Sequence, residues 1–172
     1  VVYLLYSLLC FTFFYSYSQY IIPVVFGAEY ANNIDYTIQM FLAVLVFPTT
    51  LLQANLLVAL HKEKADMWLN IAALILNVGF SFAGIAFFNS LVGVNLSIFV
   101  SFLLFHILQD YLLVKMQVTS LNKVSQFYVI TSAVTGSYVF FAHYVPPVWL
   151  YISFWSIALF ALIRFTVGFG GL

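Results

Sequence analysis

Charge is what this chain has least of. Five Lys or Arg and five Asp or Glu make up 6% of its 172 residues, and the net charge is zero. A soluble domain carries about 25% charged residues, so this sequence cannot clothe a water-facing surface, and lipid must be much of its solvent. Zero net charge also removes the basic patch that a nucleic-acid partner needs for its phosphates. The single cysteine, Cys10, excludes an intrachain disulfide. Absent too are HExxH, Walker and GxSxG motifs, a Cys/His cluster, and paired intramembrane carboxylates suited to acid–base work. No metal, cofactor or ATP site is expected, and an enzyme is not the first reading.

What the chain does have is grease: 65% hydrophobic and 20% aromatic residues, with a mean hydropathy of +1.11. A membrane-spanning helix needs about 20 mostly apolar residues, because the hydrocarbon layer is about 30 Å thick. Six segments meet that length: 1–26, 34–60, 67–88, 91–116, 123–144 and 148–169. They are too long and too uniformly apolar for barrel strands, which are near 10 residues and alternate. The expected fold is an all-α polytopic membrane protein, one membrane domain over residues 1–172 with six transmembrane helices. The chain opens Val1-Val2-Tyr3 with no basic stretch ahead, so a signal peptide is not read. Continuation of a longer chain is the expectation.

Cytoplasmic loops are enriched in Lys and Arg. Lys62 and Lys64 follow the second segment, Lys115 and Lys123 flank the loop after the fourth, and Arg164 lies near the end of the sixth. The loops after the first, third and fifth carry none, and the first has Glu29 and Asp35 nearby. That pattern places both termini of this stretch in the cytoplasm. Tyr144, Trp149 and Tyr151 fit an outer aromatic belt and Trp68 an inner one. Arg164 can snorkel to the headgroups, while His61 and His143 sit at segment ends.

Polar residues inside the apolar segments form stripes. The third segment has Asn70, Asn77, Ser81 and Gly84 at helical spacing, and the second has Gln39, Thr50 and Gln53. The fourth puts Asn95, His106, Gln109 and Asp110 on one side, and Gly93, Ser97 and Ser101 at every fourth position. Any one of these is explained by an interhelical hydrogen bond, worth about 0.6 kcal/mol on average; the small row reads as close packing. Three striped helices together point to a hydrated cavity, with Gln39, Thr50, Gln53, Asn70, Asn77, His106 and Asp110 as its candidate lining. His106 and Asp110 are one turn apart and can pair; an intramembrane ionisable group is a functional candidate, although Lys115 or water could also satisfy Asp110. Pro48 falls in mid-segment, where it removes a backbone hydrogen bond, and is the candidate hinge. Pro23 marks the end of the first segment.

A family comes into view from an ordered set of short runs. The first segment closes Ile21-Ile22-Pro23-Val24-Val25-Phe26-Gly27-Ala28-Glu29-Tyr30, and the second ends Leu57-Val58-Ala59-Leu60-His61-Lys62-Glu63-Lys64. The third contains Ile75-Leu76-Asn77-Val78 and the fourth opens Leu91-Val92-Gly93-Val94-Asn95. From about Ile21 to Ser101 this resembles the polysaccharide-export branch of the MATE-like multidrug/oligosaccharidyl-lipid/polysaccharide (MOP) flippases, the group that includes O-antigen flippases. Val94-Asn95 departs from the Gly-Ala usual there, and the last two segments carry no signature. The resemblance implies the C-terminal part of a transporter in a bacterial inner membrane, the other helices lying N-terminal to it. Its substrate would be a polyprenyl-diphosphate-linked oligosaccharide, flipped by alternating access for polysaccharide, capsule or O-antigen synthesis. Membrane lipids are the remaining partner. Two alternatives stay open: an integral membrane enzyme of glycan assembly (a polymerase or acyltransferase), and a structural membrane protein without a solute path.

Overall fold

The computed structural model describes residues 2–88 and 91–169. Seven α-helices follow one another: α1 Val2–Phe26, α2 Ile34–Phe41, α3 Phe47–Ala59, α4 Glu63–Phe88, α5 Leu91–Lys115, α6 Leu121–Phe141 and α7 Pro147–Phe169. Short 3-10 turns occupy Ala28–Asn33 and Leu42–Leu45, and no strand occurs among the described residues. Asn89 and Ser90, which separate the expected third and fourth segments, and the side chain of Arg164 lie outside the described residues. Helices suit this composition because, away from water, each backbone N–H and C=O must find its partner within the segment.

Local chemistry sets the helix ends. Gly27 leaves α1 at φ 112, backbone that a side chain would strain. Pro147 opens α7, where its missing N–H costs nothing. The Ser120 hydroxyl caps α6 by accepting from the Lys123 N–H at 3.4 Å. At the ends of α3 and α5 the chain turns through left-handed residues, His61 (φ 55) and Gln117 (φ 58). The N–H of Lys62 reaches back to the Leu57 carbonyl and that of Val118 to the Leu113 carbonyl. Both are Schellman closures made without the usual glycine.

The second expected segment, 34–60, is not one helix. Pro48 occupies the second position of α3 rather than the middle of a continuous rod. Its ring would crowd the carbonyl four residues earlier, that of Val44, so the chain tightens over Leu42–Leu45 and restarts at Phe47. The break is repaired locally. The Val46 N–H donates to the Ala43 carbonyl (3.2 Å), and the Val46 carbonyl accepts from the Thr50 N–H (2.9 Å). The Thr49 and Thr50 hydroxyls lie 2.8 and 2.9 Å from that same carbonyl.

Among the described residues, four stretches are long and apolar enough to cross a membrane: Tyr3–Phe26, Ala28–Ala59 through the break, Glu63–Phe87 and Leu91–Lys115. Pro147–Phe160 is a shorter apolar helix. The expected fifth span corresponds to α6, which is not among them; Ser125, Gln126, Thr131, Ser132, Thr135 and Ser137 dilute its apolar residues.

Helix α5 organises one side of the bundle, packing on α2, α3, α4 and the Leu42–Leu45 turn, while α1 contacts α2, α3, α6 and α7. Leu8, Phe11 and Leu45 form a buried apolar cluster under α1. Hydrogen bonds tie α1 to the last two helices, from Ser16 to the Tyr138 hydroxyl (2.5 Å) and from Trp155 Nε1 to Thr12 (3.0 Å). The α4–α5 pair is the most extensive contact, and the row of small residues on α5 makes it, as close packing requires. Gly84 and Gly93 meet backbone to backbone, leaving no room for a Cβ on either. One turn on, the Ser97 hydroxyl lies 2.6 Å from the Phe80 carbonyl across the interface. The rest of α4 turns Trp68, Leu74, Ile75, Phe82 and Phe87 outward. In water so large an apolar face would drive aggregation; against lipid or further helices it is ordinary.

Candidate functional site

The largest concentration of buried polarity lies beside the break between α2 and α3. Residues 106, 109 and 110 share one side of α5, and Thr49 and Gln53 are one turn apart on α3, so two short polar rows face each other. Gln53 Nε2 donates to Asp110 Oδ1 at 2.5 Å, and the Tyr128 hydroxyl of α6 donates to Asp110 Oδ2 at 2.8 Å. His106 Nδ1 lies 3.1 Å from Asp110 Oδ2 and 2.6 Å from the Tyr128 hydroxyl. Its other nitrogen, Nε2, is 2.9 Å from the Thr49 hydroxyl. Phe127 stacks on the imidazole, ring centres 5.1 Å apart.

Burial gives these contacts their weight. His106 is 1% exposed, Gln109 0% and Asp110 7%. Removing a charge from water costs several kcal/mol even after relaxation, roughly, and is offset only by good geometry and full hydrogen bonding. Asp110 has both: two neutral donors and the imidazole converge on its two oxygens. Among the described residues, His106–Asp110 is the only contact between a basic and an acidic side chain. The adjacent Gln109 reaches the other way, donating from Nε2 to Asp66 Oδ1 on α4 at 3.2 Å. Because a carboxylate only accepts, both glutamines must present their NH₂ groups to it. Their carbonyl oxygens, Gln53 Oε1 and Gln109 Oε1, are left buried without a partner, each at a cost of about 1–3 kcal/mol. The network thus pins α3, α4, α5 and α6 together while leaving acceptor capacity unused.

A cavity of about 270 Å³ adjoins the cluster, between the break and α6. Leu45, Val46, Tyr128, Thr131, Ser132 and Thr135 line it, and the buried Thr135 hydroxyl has no protein partner. Leu42, Phe99 and Leu103 complete a largely apolar lining that these hydroxyls interrupt, and the space has room for several waters.

The structure brings Gln53, His106 and Asp110 together and sends the other sequence candidates elsewhere. Thr50 is buried at the break, with its hydroxyl returned to the Val46 carbonyl. Asn95 Nδ2 donates to the Tyr36 carbonyl (2.9 Å) and, more distantly, to Gln39 Oε1 (3.4 Å). Asn70 and Asn77 line a separate cleft of about 210 Å³ between α4 and α5. There Asn70 bonds back to Asp66, and Asn77 accepts from Ser81 at 3.3 Å. Pro48 borders a third space, an apolar groove of about 830 Å³ between α3 and α1 that also touches Tyr6, Cys10 and Asn55. Among the described residues Gln53, His106 and Asp110 thus meet at one place, Asn70 and Asn77 line another, and Gln39 contacts Asn95.

Sequence reasoning missed Thr49 and Tyr128. Thr49 and Thr50 both lie one turn from Gln53 on α3, and only packing against α5 decides that Thr49 meets His106 while Thr50 bonds back to the Val46 carbonyl. Tyr128 is one of twelve tyrosines and carries no local mark. Lys115, the alternative partner for Asp110, makes no salt bridge with it; His106, Gln53 of α3 and Tyr128 of α6 meet the carboxylate instead. No group of three or more His, Cys, Asp or Glu suited to a metal ion occurs among the described residues. Comparison of the chain with protein-family models, with curated proteins and with solved structures finds no match.

Proposed function

We propose that this chain is part of a multi-pass transporter that flips a lipid-linked oligosaccharide across a bacterial cytoplasmic membrane. In this reading α6 and α7 complete six spans, the Lys-bearing loops face the cytoplasm, and helices preceding residue 1 supply the rest of the transport path. The observation that carries transport is the ionisable cluster of His106, Asp110 and Tyr128, buried against an interrupted helix. Transporters place polar sites near mid-membrane at discontinuous helices, where broken backbone lines a cavity. Charged groups inside a membrane are costly enough that function is their usual justification. The oligosaccharide-lipid substrate rests on the ordered resemblance between Ile21 and Ser101. It suits a protein that offers an amide-lined cleft to sugar hydroxyls (Asn70, Asn77) and an apolar groove elsewhere on the bundle.

Expression of the complete gene in a strain lacking its own flippase tests this. Restored surface polysaccharide is the expected result, with Asp110→Asn reducing it at least tenfold at equal membrane abundance. Failure to restore any glycan, with the protein correctly inserted, counts against the substrate. An Asp110→Asn variant as active as the native protein counts against the cluster.

A further inference from the structure

His106 and Thr49 touch where the broken helix restarts, and their hydrogen bonds cannot all be fixed. The Thr49 oxygen lies 2.9 Å from His106 Nε2 and 2.8 Å from the Val46 carbonyl. A hydroxyl has one proton and can donate to only one of them at a time. The opposite edge of the ring is less free. Tyr128 gives its proton to Asp110 Oδ2 (2.8 Å), and His106 Nδ1 sits 3.1 Å from that oxygen and 2.6 Å from the tyrosine oxygen. A bare Nδ1 would set a lone pair against a carboxylate lone pair. With Asp110 ionised, Nδ1 therefore carries a hydrogen, and Nε2 is the variable atom.

Two arrangements then satisfy every group. With a neutral imidazole, Nε2 accepts the Thr49 proton. With an imidazolium, the Nε2–H donates to Thr49, whose own proton swings to the Val46 carbonyl. They differ by one proton taken from water and one rotation about a threonine bond. In either state the Val46 carbonyl keeps the Thr50 N–H and Thr50 hydroxyl at 2.9 Å. What changes is its third donor.

We propose that His106 is a reversible proton-binding site with Asp110 as counter-ion, and that Thr49 transmits its charge state to the Val46 carbonyl at the α2–α3 break. The surroundings are specific to this task. From α3 the imidazole meets only the neutral Thr49, with neutral Gln53 behind on Asp110. From α6 it meets Phe127 and the Tyr128 hydroxyl, and from its own helix Asp110. Of the two carboxylates on α4, Glu63 and Asp66, the second joins through Gln109 and not directly. In this proposal the proton arrives by way of the adjoining cavity, which Val46, Phe127 and Tyr128 all border. The site does not depend on what the protein carries, so it stands or falls separately from the flippase reading.

The test uses the full chain in lipid nanodiscs. Imidazole ¹⁵N resonances, with His106 assigned from His106→Gln, follow protonation against pH. In parallel, infrared spectra of protein labelled with ¹³C at valine carbonyls, with Val46 assigned from Val46→Ile, follow its hydrogen bonding. One protonation step at His106 is expected, and the Val46 carbonyl band should move to lower frequency on acidification with the same midpoint. Thr49→Val should leave a titrating His106 but a stationary carbonyl band, and Thr49→Ser should restore the movement. A His106 that keeps one protonation state wherever the protein stays folded overturns the site. A carbonyl band unmoved through the native titration, or one still moving in Thr49→Val, overturns the coupling.

Discussion

Asp110 draws partners from α3, α5 and α6 onto one carboxylate, which makes it the residue on which the local packing depends most. Removing the carboxylate leaves the buried Gln53 and Tyr128 donors without their acceptor, at about 1–3 kcal/mol each. Asp110→Ala should therefore lower the thermal unfolding midpoint in detergent sharply. Gln53→Leu should cost less, because Tyr128 and His106 remain on the carboxylate and an unpartnered buried oxygen disappears with the glutamine. Gln117 offers the reverse opportunity. It holds φ 58 at the end of α5, a conformation that costs a side-chain-bearing residue roughly 1–2 kcal/mol. Gln117→Gly is expected to stabilise the protein by about 0.5–1 kcal/mol once the extra freedom of glycine in the unfolded chain is subtracted; equilibrium denaturation in mixed micelles would read this. Little of this was visible in the sequence. His106 and Asp110 were legible as a pair because four residues make one helical turn, but nothing local marked Tyr128 or the left-handed glutamine.

Two elements carry the architecture, the α4–α5 hairpin and the α2–α3 break. The hairpin closes on Gly84 and Gly93, each of which would drive a Cβ into the other's backbone. Gly93→Val should separate the two helices at a cost of roughly 1–3 kcal/mol, the usual range for overpacking. A disulfide probe across the pair would then form more slowly than in the parent. Gly79→Ala is the control, since nothing stands within 4 Å of its new methyl, and it should be neutral or slightly stabilising. At the break, Pro48→Ala lifts the clash with the Val44 carbonyl and lets Leu42–Leu45 relax toward α-helix. Slower amide exchange at Leu45, Val46 and Phe47 is the expected outcome, and unchanged exchange would mean that the Thr49–His106 contact, not proline, holds the break open. The small row on α5 was readable from its spacing. The break was readable only in part: Pro48 marked the place, but a proline can either kink a continuous helix or begin a new one, and the neighbouring threonines and α5 decide which.

At the scale of the whole molecule, the α3–α4 and α5–α6 connections lie at one end of the bundle, since the Asp66–Gln109 bond joins the start of α4 to the end of α5. Reporter fusions at Lys64 and at Lys123 should therefore report the same face of the membrane; opposite faces would refute the arrangement. Composition alone determined that this is a helical, lipid-compatible protein, because so few charges cannot solvate a surface and a backbone away from water must bond within its own helix. Segment ends followed from glycine, proline and the Lys-bearing loops, all of which act over a few residues. Tertiary structure alone decided which polar side chains meet. The restart of the helix at Phe47 and its packing on α5 set Thr49 and Gln53 toward His106 and Asp110, and hydrogen bonding falls off within fractions of an ångström. Hydropathy varies slowly along the chain and is legible there; contact geometry depends on small rotations added up between distant residues, and exists only once the helices have packed.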